Sequence, residues 1–282
     1  MQKFMLITNS YKDKGLVLSR RIANYIQERG GQAHIAANRM NAGLEQEFDI
    51  AEIPEDTECI LVLGGDGTLI RTATKTESLQ IPLIGVNLGT LGYLCELEEA
   101  TVFEAIDRLF ADRYMKEERI MLSGCRVGGE ENARLALNDI VIHWTGDMSM
   151  LRMYVHVNGK PLNTYEADGI LVATPTGSTG YNISAGGPIV EPKAHMLLLT
   201  PINAHDLNSQ SIVLGDEDVI EIEVGTRRYQ ADERASVSFD GDTLMQLCVG
   251  DKVRIERAPN SVHICKLSDQ SFLEILRKKM QR

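Results

Sequence analysis

The sequence predicts an α/β + β protein: an N-terminal Rossmann-like α/β domain, a mostly antiparallel β domain after it, and a C-terminal helix returning to the first domain. Three observations carry that prediction. Residues 1–99 alternate short apolar runs with helical periodicity, the pattern of parallel strands joined by covering helices. Residues 100–267 are, after one helix, a series of alternating segments broken by Gly, Asn and Asp, as antiparallel strands are. Residues 268–282 revert to helical spacing.

In order, the apolar runs at 4–8, 33–36, 59–63 and 81–86 read as strands. Between the first two, Leu18, Ile22, Tyr25 and Ile26 recur on one helical face, and Gly30 with Gly31 supply the stop. A further helix carries Val102, Ala105, Ile106, Leu109 and Phe110. Asn158 and Gly159 form the best hairpin signal, because both residues tolerate the left-handed backbone that tight hairpin turns need. Strands are expected over 212–224, 235–239, 244–247, 252–256 and 262–265. In the tail, Ser271 and Glu274 have capping-box spacing, Phe272, Ile275, Leu276 and Met280 share a face, and residues 277–279 are basic near the C-terminal dipole. Docking on the α/β domain would bury that apolar face.

With 282 residues, 43% hydrophobic and 24% charged, the chain has the composition of a folded globular protein. Its 29 basic against 40 acidic side chains give a net charge of −11, which repels phosphate backbones and anionic lipid. Nucleic acid and membrane are therefore excluded as partners. A phosphorylated ligand must be held by backbone amides, a helix N-terminus, a single Arg or a bridging cation. Five scattered cysteines, Cys59, Cys95, Cys125, Cys248 and Cys265, form no C-x-x-C pair and read as reduced core thiols. The apolar run at 4–7 is too short for a signal peptide or membrane span, so a cytoplasmic location is expected. The six histidines show no ligand spacing, which argues against a metal site built from protein ligands. Met148, Met150 and Met153, close to Trp144, read as core or subunit-contact residues.

The strongest local feature is Gly64, Gly65, Asp66, Gly67, Thr68, placed between an apolar strand and a helical stretch starting near Leu69. Glycines let a backbone approach phosphate closely, and loop amides at a helix start attract anions. The lone carboxylate of Asp66 would repel a phosphate unless it holds Mg²⁺ or accepts a proton. The structural alternative is an ordinary strand-to-helix turn capped by Asp66. Neither G-x-x-x-x-G-K-[ST] nor G-x-G-x-x-G occurs, which removes the commonest nucleotide loops and weakens a dehydrogenase reading.

A second feature runs from Asp168 and Gly169 through an apolar strand into Thr174, Pro175, Thr176, Gly177, Ser178, Thr179, Gly180, Tyr181, Asn182, Ile183 and Ser184, and on to Pro188. Hydroxyls and exposed amides suit ribose and adenine edges, and Tyr181 offers an aromatic face. Ser178 is not a hydrolase nucleophile, because Thr176 breaks the G-x-S-x-G register. The third feature is Asn138 and Asp139, polar residues interrupting an apolar strand. They suit vicinal ribose hydroxyls, and equally a β-bulge or turn.

Together these segments resemble the NAD kinase family, and the resemblance takes in the 88–94 loop, Thr200, Pro201, Ile202, Leu207 and Ser211 as well. Diacylglycerol and sphingosine kinases share the glycine string but lack the T-P-T-G-S-T-x-Y segment. The resemblance implies ATP-dependent phosphorylation of the 2′-hydroxyl on the adenosine ribose of NAD, with Mg²⁺ or another divalent metal arriving with ATP. It implies that Asp66 is the catalytic carboxylate, that Gly67 lies against the bound dinucleotide and Arg71 faces phosphate, and that Gly65 and Thr68 belong to the same substrate-binding set. Asn138 and Asp139 would grip ribose hydroxyls, while Asp168, Thr179, Gly180, Tyr181, Asn182 and Ser184 contact the rest of the dinucleotide. A homo-oligomer, tetramer or dimer, is implied too. Two departures stand out: Gly180 where many relatives have Ala, and Asp242 where they carry an amide. A lipid kinase and a non-catalytic NAD sensor are the alternatives; the charge disfavours the first, and the intact Asp66 the second.

Overall fold

The computed structural model describes every residue except 42–43, 47, 90–91, 131, 146–149, 206–208, 227–233, 269 and 282. The first third contains β1 (Lys3–Asn9), α1 (Val17–Glu28), β2 (Gln32–Asn41), β3 (Leu44–Gln46), β4 (Cys59–Gly64), α2 (Asp66–Thr76), β5 (Leu83–Asn87), β6 (Leu97–Glu98), α3 (Val102–Phe110) and β7 (Met115–Arg119). It is followed by β8 (Leu122–Arg126), β9 (Arg134–Ala136), β10 (Asp139–Trp144), β11 (Leu151–Val157), β12 (Lys160–Ala167), β13 (Gly169–Ala173) and the short α4 (Tyr181–Ser184). The remainder comprises β14 (Met196–Ile202), β15 (Ile212–Gly215), β16 (Ile220–Gly225), β17 (Arg234–Phe239), β18 (Asp242–Cys248), β19 (Lys252–Arg257), β20 (Val262–Lys266) and α5 (Phe272–Met280). The chain forms two compact units, Met1–Glu118 with Val262–Arg282, and Arg119–Ser261.

These boundaries differ from the 99/100 and 267/268 divisions read in the sequence. The apolar face of α3 (Val102, Ala105, Ile106, Leu109) is buried in the same core as Leu18, Ile22 and Ile26 of α1, so α3 belongs to the first unit. Strand β20 joins the first unit because it pairs in parallel with β5, Ile264 opposite Leu83.

The first unit is built on one sheet of order β3-β2-β1-β4-β5-β20-β7, with β6 beside β5. Strands β2, β1, β4 and β5 run parallel, and β1, β4 and β5 are continuous apolar runs, as strands buried on both faces are. Every residue of β4 and β5 is buried. The capping box of α5 is present: the Glu274 amide donates to Ser271 Oγ at 3.3 Å, and the Ser271 amide donates to Glu274 Oε2 at 2.9 Å. Phe272, Ile275 and Leu276 are half-buried as expected, but Met280 is 72% exposed. Lys279 takes the inward position, its Nζ lying 4.0 Å from the centroid of the Tyr93 ring.

The second unit is a pair of six-stranded antiparallel sheets, β15-β14-β13-β10-β17-β18 and β12-β11-β16-β19-β8-β9. Their inner faces share one core, with Ile140, Ile142, Ile170, Val172 and Val237 from the first and Met153, Val155, Ile222, Val224 and Ile255 from the second. Asn158 (φ 51°) and Gly159 (φ 73°) make the predicted left-handed turn between β11 and β12. The single strand expected over 212–224 is two strands in different sheets, β15 and β16. They are separated by a turn in which the Gly215 amide donates to Asp218 Oδ2 at 2.9 Å. Met153 is core, Trp144 packs partly against that core, and Met148 lies outside the described residues. Cys59, Cys95 and Cys265 are buried thiols, whereas Cys125 is half-buried and Cys248 is exposed on β18.

Candidate functional site

Asp66 opens α2 directly after the buried strand β4, so its side chain is fixed at a helix start by the strand before it and the helix after it. Its carboxylate accepts from three successive backbone amides: Tyr93 to Oδ2 at 2.6 Å, Leu94 to both oxygens at 3.3 Å, and Cys95 to Oδ1 at 3.1 Å. Gly92 makes this contact possible, because a Cβ there would overlap the Asp66 carboxylate. Burial and the neighbouring Asp66 charge push the Cys95 thiol well above the usual range, leaving it protonated.

The rest of the glycine string divides by orientation. Gly67 is exposed with open space where a Cβ would point, and Gly65 is half-buried, with Lys12 Nζ 3.0 Å from its Cβ position. Both present backbone outward at the start of α2. Thr68 turns inward instead: it is buried, and its side chain packs so closely on Gly64 that a Cβ at 64 would overlap it. Its side chain is a packing element. Arg71 lies half-buried one turn further along α2.

In the second unit, a cavity of about 520 Å³ is lined by Asn138, Asp139, Asp168 and Tyr181 among the predicted residues. The backbone that carries Asn138 and Asp139 is tied down from two sides. Asp240 accepts from the amides of Leu137 (2.7 Å), Asn138 (2.7 Å) and Asp139 (3.1 Å), and its own amide donates to the Asp139 carbonyl at 3.0 Å. Thr174 donates through Oγ1 to the Leu137 carbonyl at 2.6 Å and through its amide to the Asn138 carbonyl at 2.9 Å. Gly177 presses against the Asn138 backbone, where any Cβ would collide. With its main chain satisfied, this segment leaves the two side chains at the cavity. Among the described residues, the buried Oδ1 of Asn138 has no hydrogen-bond partner. Asp139 is 6% exposed, and burial first, then the Asp240 charge, pushes its carboxyl up to about 7.

The hydroxyl-rich block is divided in the same way. Tyr181 is 47% exposed at the cavity, Thr179 and Gly180 are half-buried, and Ser184 is exposed. Gly180 faces the pair, since a Cβ there would lie 3.6 Å from Asn138 Nδ2 and 3.8 Å from Asp139 Oδ2. Asp168 accepts from Asn203 Nδ2 at 2.9 Å at the cavity edge. Asn182 is a correction: fully buried, it donates to the carbonyls of Ser178 (3.2 Å) and Pro188 (2.9 Å) and accepts from Thr200 Oγ1 at 2.8 Å. Its amide is consumed in bracing the loop, so the side chain does not reach a ligand. Ser178 likewise exchanges bonds with Val190 and is no nucleophile.

Sequence reasoning missed His143, Asn203, Ser238 and Asp240, all at the cavity. The signal for His143 was available. In a strand, residues two apart share a face, so Asp139, Val141 and His143 of β10 line the cavity together. Asp242, flagged as a departure, is exposed and is not among the cavity residues; Asp240, two positions earlier, is the carboxylate of this turn that lines the cavity. Among the described residues no cluster of three or more His, Cys, Asp or Glu side chains is arranged to hold a metal ion.

Comparison with known proteins agrees with this architecture. The chain matches the ATP-NAD kinase N-terminal domain over residues 4–114 and the ATP-NAD kinase C-terminal domain over 137–267, which includes the 168–188 block. It is 60% identical over 280 residues to the NAD kinase of Agathobacter rectalis, covering 99% of each chain, and 38% identical to that of Lachnoclostridium phytofermentans, covering 99% of each. Its fold is that of yeast NADH kinase, solved with NADH (TM-score 0.86, 21% identity, 99% of this chain and 88% of that one). The Archaeoglobus fulgidus NAD kinase, solved with ATP, shares it as well (TM-score 0.77, 22% identity, 99% and 98%). With both family domains matched in order and a relative 60% identical from end to end, this chain belongs to the ATP-NAD kinase family, enzymes that phosphorylate NAD to NADP at the expense of ATP.

Proposed function

We propose that this enzyme transfers the γ-phosphoryl group of ATP to the 2′-hydroxyl of the adenosine ribose of NAD, with Asp66 as general base and Asn138 and Asp139 as the ribose clamp. The observation that carries the clamp is the buried Asn138 Oδ1, unpartnered among the described residues, beside the buried Asp139 carboxyl at the cavity. A buried acceptor without a donor is costly unless a ligand supplies one, and ribose hydroxyls are donors. Asp139, Asp168 and Asp240 all line that cavity, so it favours hydroxyl and amide donors and repels phosphate. Phosphates suit the other predicted element, where Gly65 and Gly67 present backbone at the start of α2.

In the transfer, the 2′-oxygen forms a bond to phosphorus, the bond from phosphorus to the β,γ-bridging oxygen breaks, ADP leaves, and the hydroxyl proton passes to Asp66. Each Asp66 oxygen carries one short amide bond and shares that of Leu94, so acceptor capacity remains for the proton. The transition state is loose, so positioning and charge neutralisation supply most of the acceleration. Mg²⁺ or another divalent metal would arrive with ATP and neutralise charge on its phosphates. Tyr181, exposed at the cavity, offers a ring face to a base, while Thr179, Gly180 and Ser184 border the same segment. Cytoplasmic residence accords with five free thiols, and a homo-oligomer, tetramer or dimer, follows from the family resemblance.

Asp66→Asn should bind NAD with unchanged affinity in calorimetric titration and lose about 10²- to 10⁴-fold in NADP formation. A near-normal rate would sink the base assignment.

A further inference from the structure

The amides that hold Asp66 belong to a segment whose next residue is tied to the far end of the chain. Glu96 follows Cys95 directly, and its carboxylate accepts from the amides of Leu267 (3.1 and 3.2 Å to its two oxygens) and Ser268 (2.5 Å). Leu267 is buried in the core of the first unit, so this link is anchored. At the other end of the segment, the Tyr93 ring lies under Lys279 Nζ of α5. In the middle, Cys95 seats against β5 so closely that a Cβ at Gly85 would press on its sulfur. Residues 93–95 therefore touch Asp66 through their amides, and the same segment touches the C-terminal segment through Tyr93 and Glu96.

We propose that the C-terminal segment, through Glu96 and Lys279, is a positioning element for Asp66. This rests on the reading of Asp66 as general base. Glu96 and Lys279 do not touch reacting atoms; they fix where the amides of 93–95 sit, and those amides fix the carboxylate. A reacting group displaced by about 1 Å loses as much as 10²-fold in rate, so a short segment held at both ends sets the turnover number rather than substrate affinity. A cavity of about 220 Å³, lined by Glu96, Thr101, Arg108 and Ser268, adjoins the Glu96 clamp, so truncating Glu96 enlarges existing space.

The test compares Glu96→Ala, Glu96→Gln, Lys279→Ala and Lys279→Arg with Asp66→Asn, measuring kcat, KM for NAD and ATP, NAD affinity by calorimetry, and Tm. Glu96→Ala should lower kcat by about 10- to 100-fold with both KM values within about twofold. Glu96→Gln, which keeps one accepting oxygen, should recover part of that loss. Lys279→Ala should lower kcat a few-fold, and Lys279→Arg, which also stacks on an aromatic face, should restore it. If Glu96→Ala does not fold, the Gln variant and the Lys279 pair decide. Wild-type kcat in those variants, with only Tm lowered, would overturn the positioning role while an inactive Asp66→Asn leaves the base assignment standing. A near-normal Asp66→Asn would remove the base assignment itself, whatever the other variants do.

Discussion

Each unit of the molecule wraps one aspartate in three successive backbone amides: Asp66 takes those of 93–95, and Asp240 those of 137–139. The arrangement is the same and the surroundings are not. Asp66 stands on regular helix, and the accommodation is made by the approaching loop, whose Gly92 leaves room for the carboxylate. Asp240 itself adopts the unusual backbone, φ 50°, in a tight turn with Gly241 at φ 92°, and returns an amide bond to the Asp139 carbonyl. It also faces a second acid, Asp139, whose carboxyl it helps to push up. An amide nest alone therefore does not mark a catalytic carboxylate. One nest holds the proposed base at the edge of a loop, and the other locks the backbone beneath the proposed ribose clamp.

Breaking the first nest should have the larger effect on turnover. Gly92→Ala must displace either Asp66 or the loop, and we expect a kcat loss of about 10²-fold, read in an NADP-forming assay. Breaking the second should show first in stability. Asp240→Ala leaves the amides of 137–139 without their acceptor and should cost about 2–3 kcal/mol in denaturant unfolding, with a raised KM for NAD. Asp240→Asn separates the two parts of that role, since Asn tolerates the left-handed turn and keeps an acceptor oxygen but removes the charge beside Asp139.

Asp139 sharpens the comparison through pH. Its folded-state value, about 7, lies above the ordinary 3.8, so its contribution to stability is complete below about pH 4 and is lost as pH rises through about 7. Asp139→Asn cannot ionise, so its Tm advantage over wild type should grow between pH 5 and pH 8. The ionised form is the better acceptor for two ribose hydroxyls, so wild-type KM for NAD should fall as pH rises through about 7 while the Asn variant stays flat. Wild-type and variant profiles that run parallel would show that Asp139 does not control the clamp. In Asp240→Asn the midpoint should move down, by the share that the neighbouring charge contributes. The smallest effect is expected from Gly180→Ala. A methyl there meets the Gly177 carbonyl at 3.2 Å and the Asn138 and Asp139 side chains at ordinary contact, so KM for NAD should change by no more than about twofold.

The parallel sheet, the hairpin at Asn158–Gly159, the capping box of α5 and the placing of Asp66 were legible because each is a local signal, set by period, turn chemistry or spacing. Asn182 was misread because a polar residue in a hydroxyl-rich loop looks alike from the sequence whether it faces a ligand or braces the loop; only its three internal partners decide. The burial of the Thr68 side chain against Gly64 was equally invisible in the sequence. Asp240 was overlooked because its partners lie about a hundred residues away, at 137–139, and no local pattern announces a bond of that span. Strand β20 was grouped with the β domain on equally local grounds: its own residues alternate like those of its neighbours, and only its pairing with β5 ties it to the first sheet.

That pairing carries a consequence for how the protein is made. Strand β20 separates β5 from β7 in the first sheet, yet it leaves the ribosome only after all of residues 119–261. During synthesis, β5 and β7 wait without the strand that joins them, while every strand of the second unit already has its partners. The unit written second in the chain can therefore be completed first, and the unit written first closes last, with an open strand edge available for mispairing in the interval.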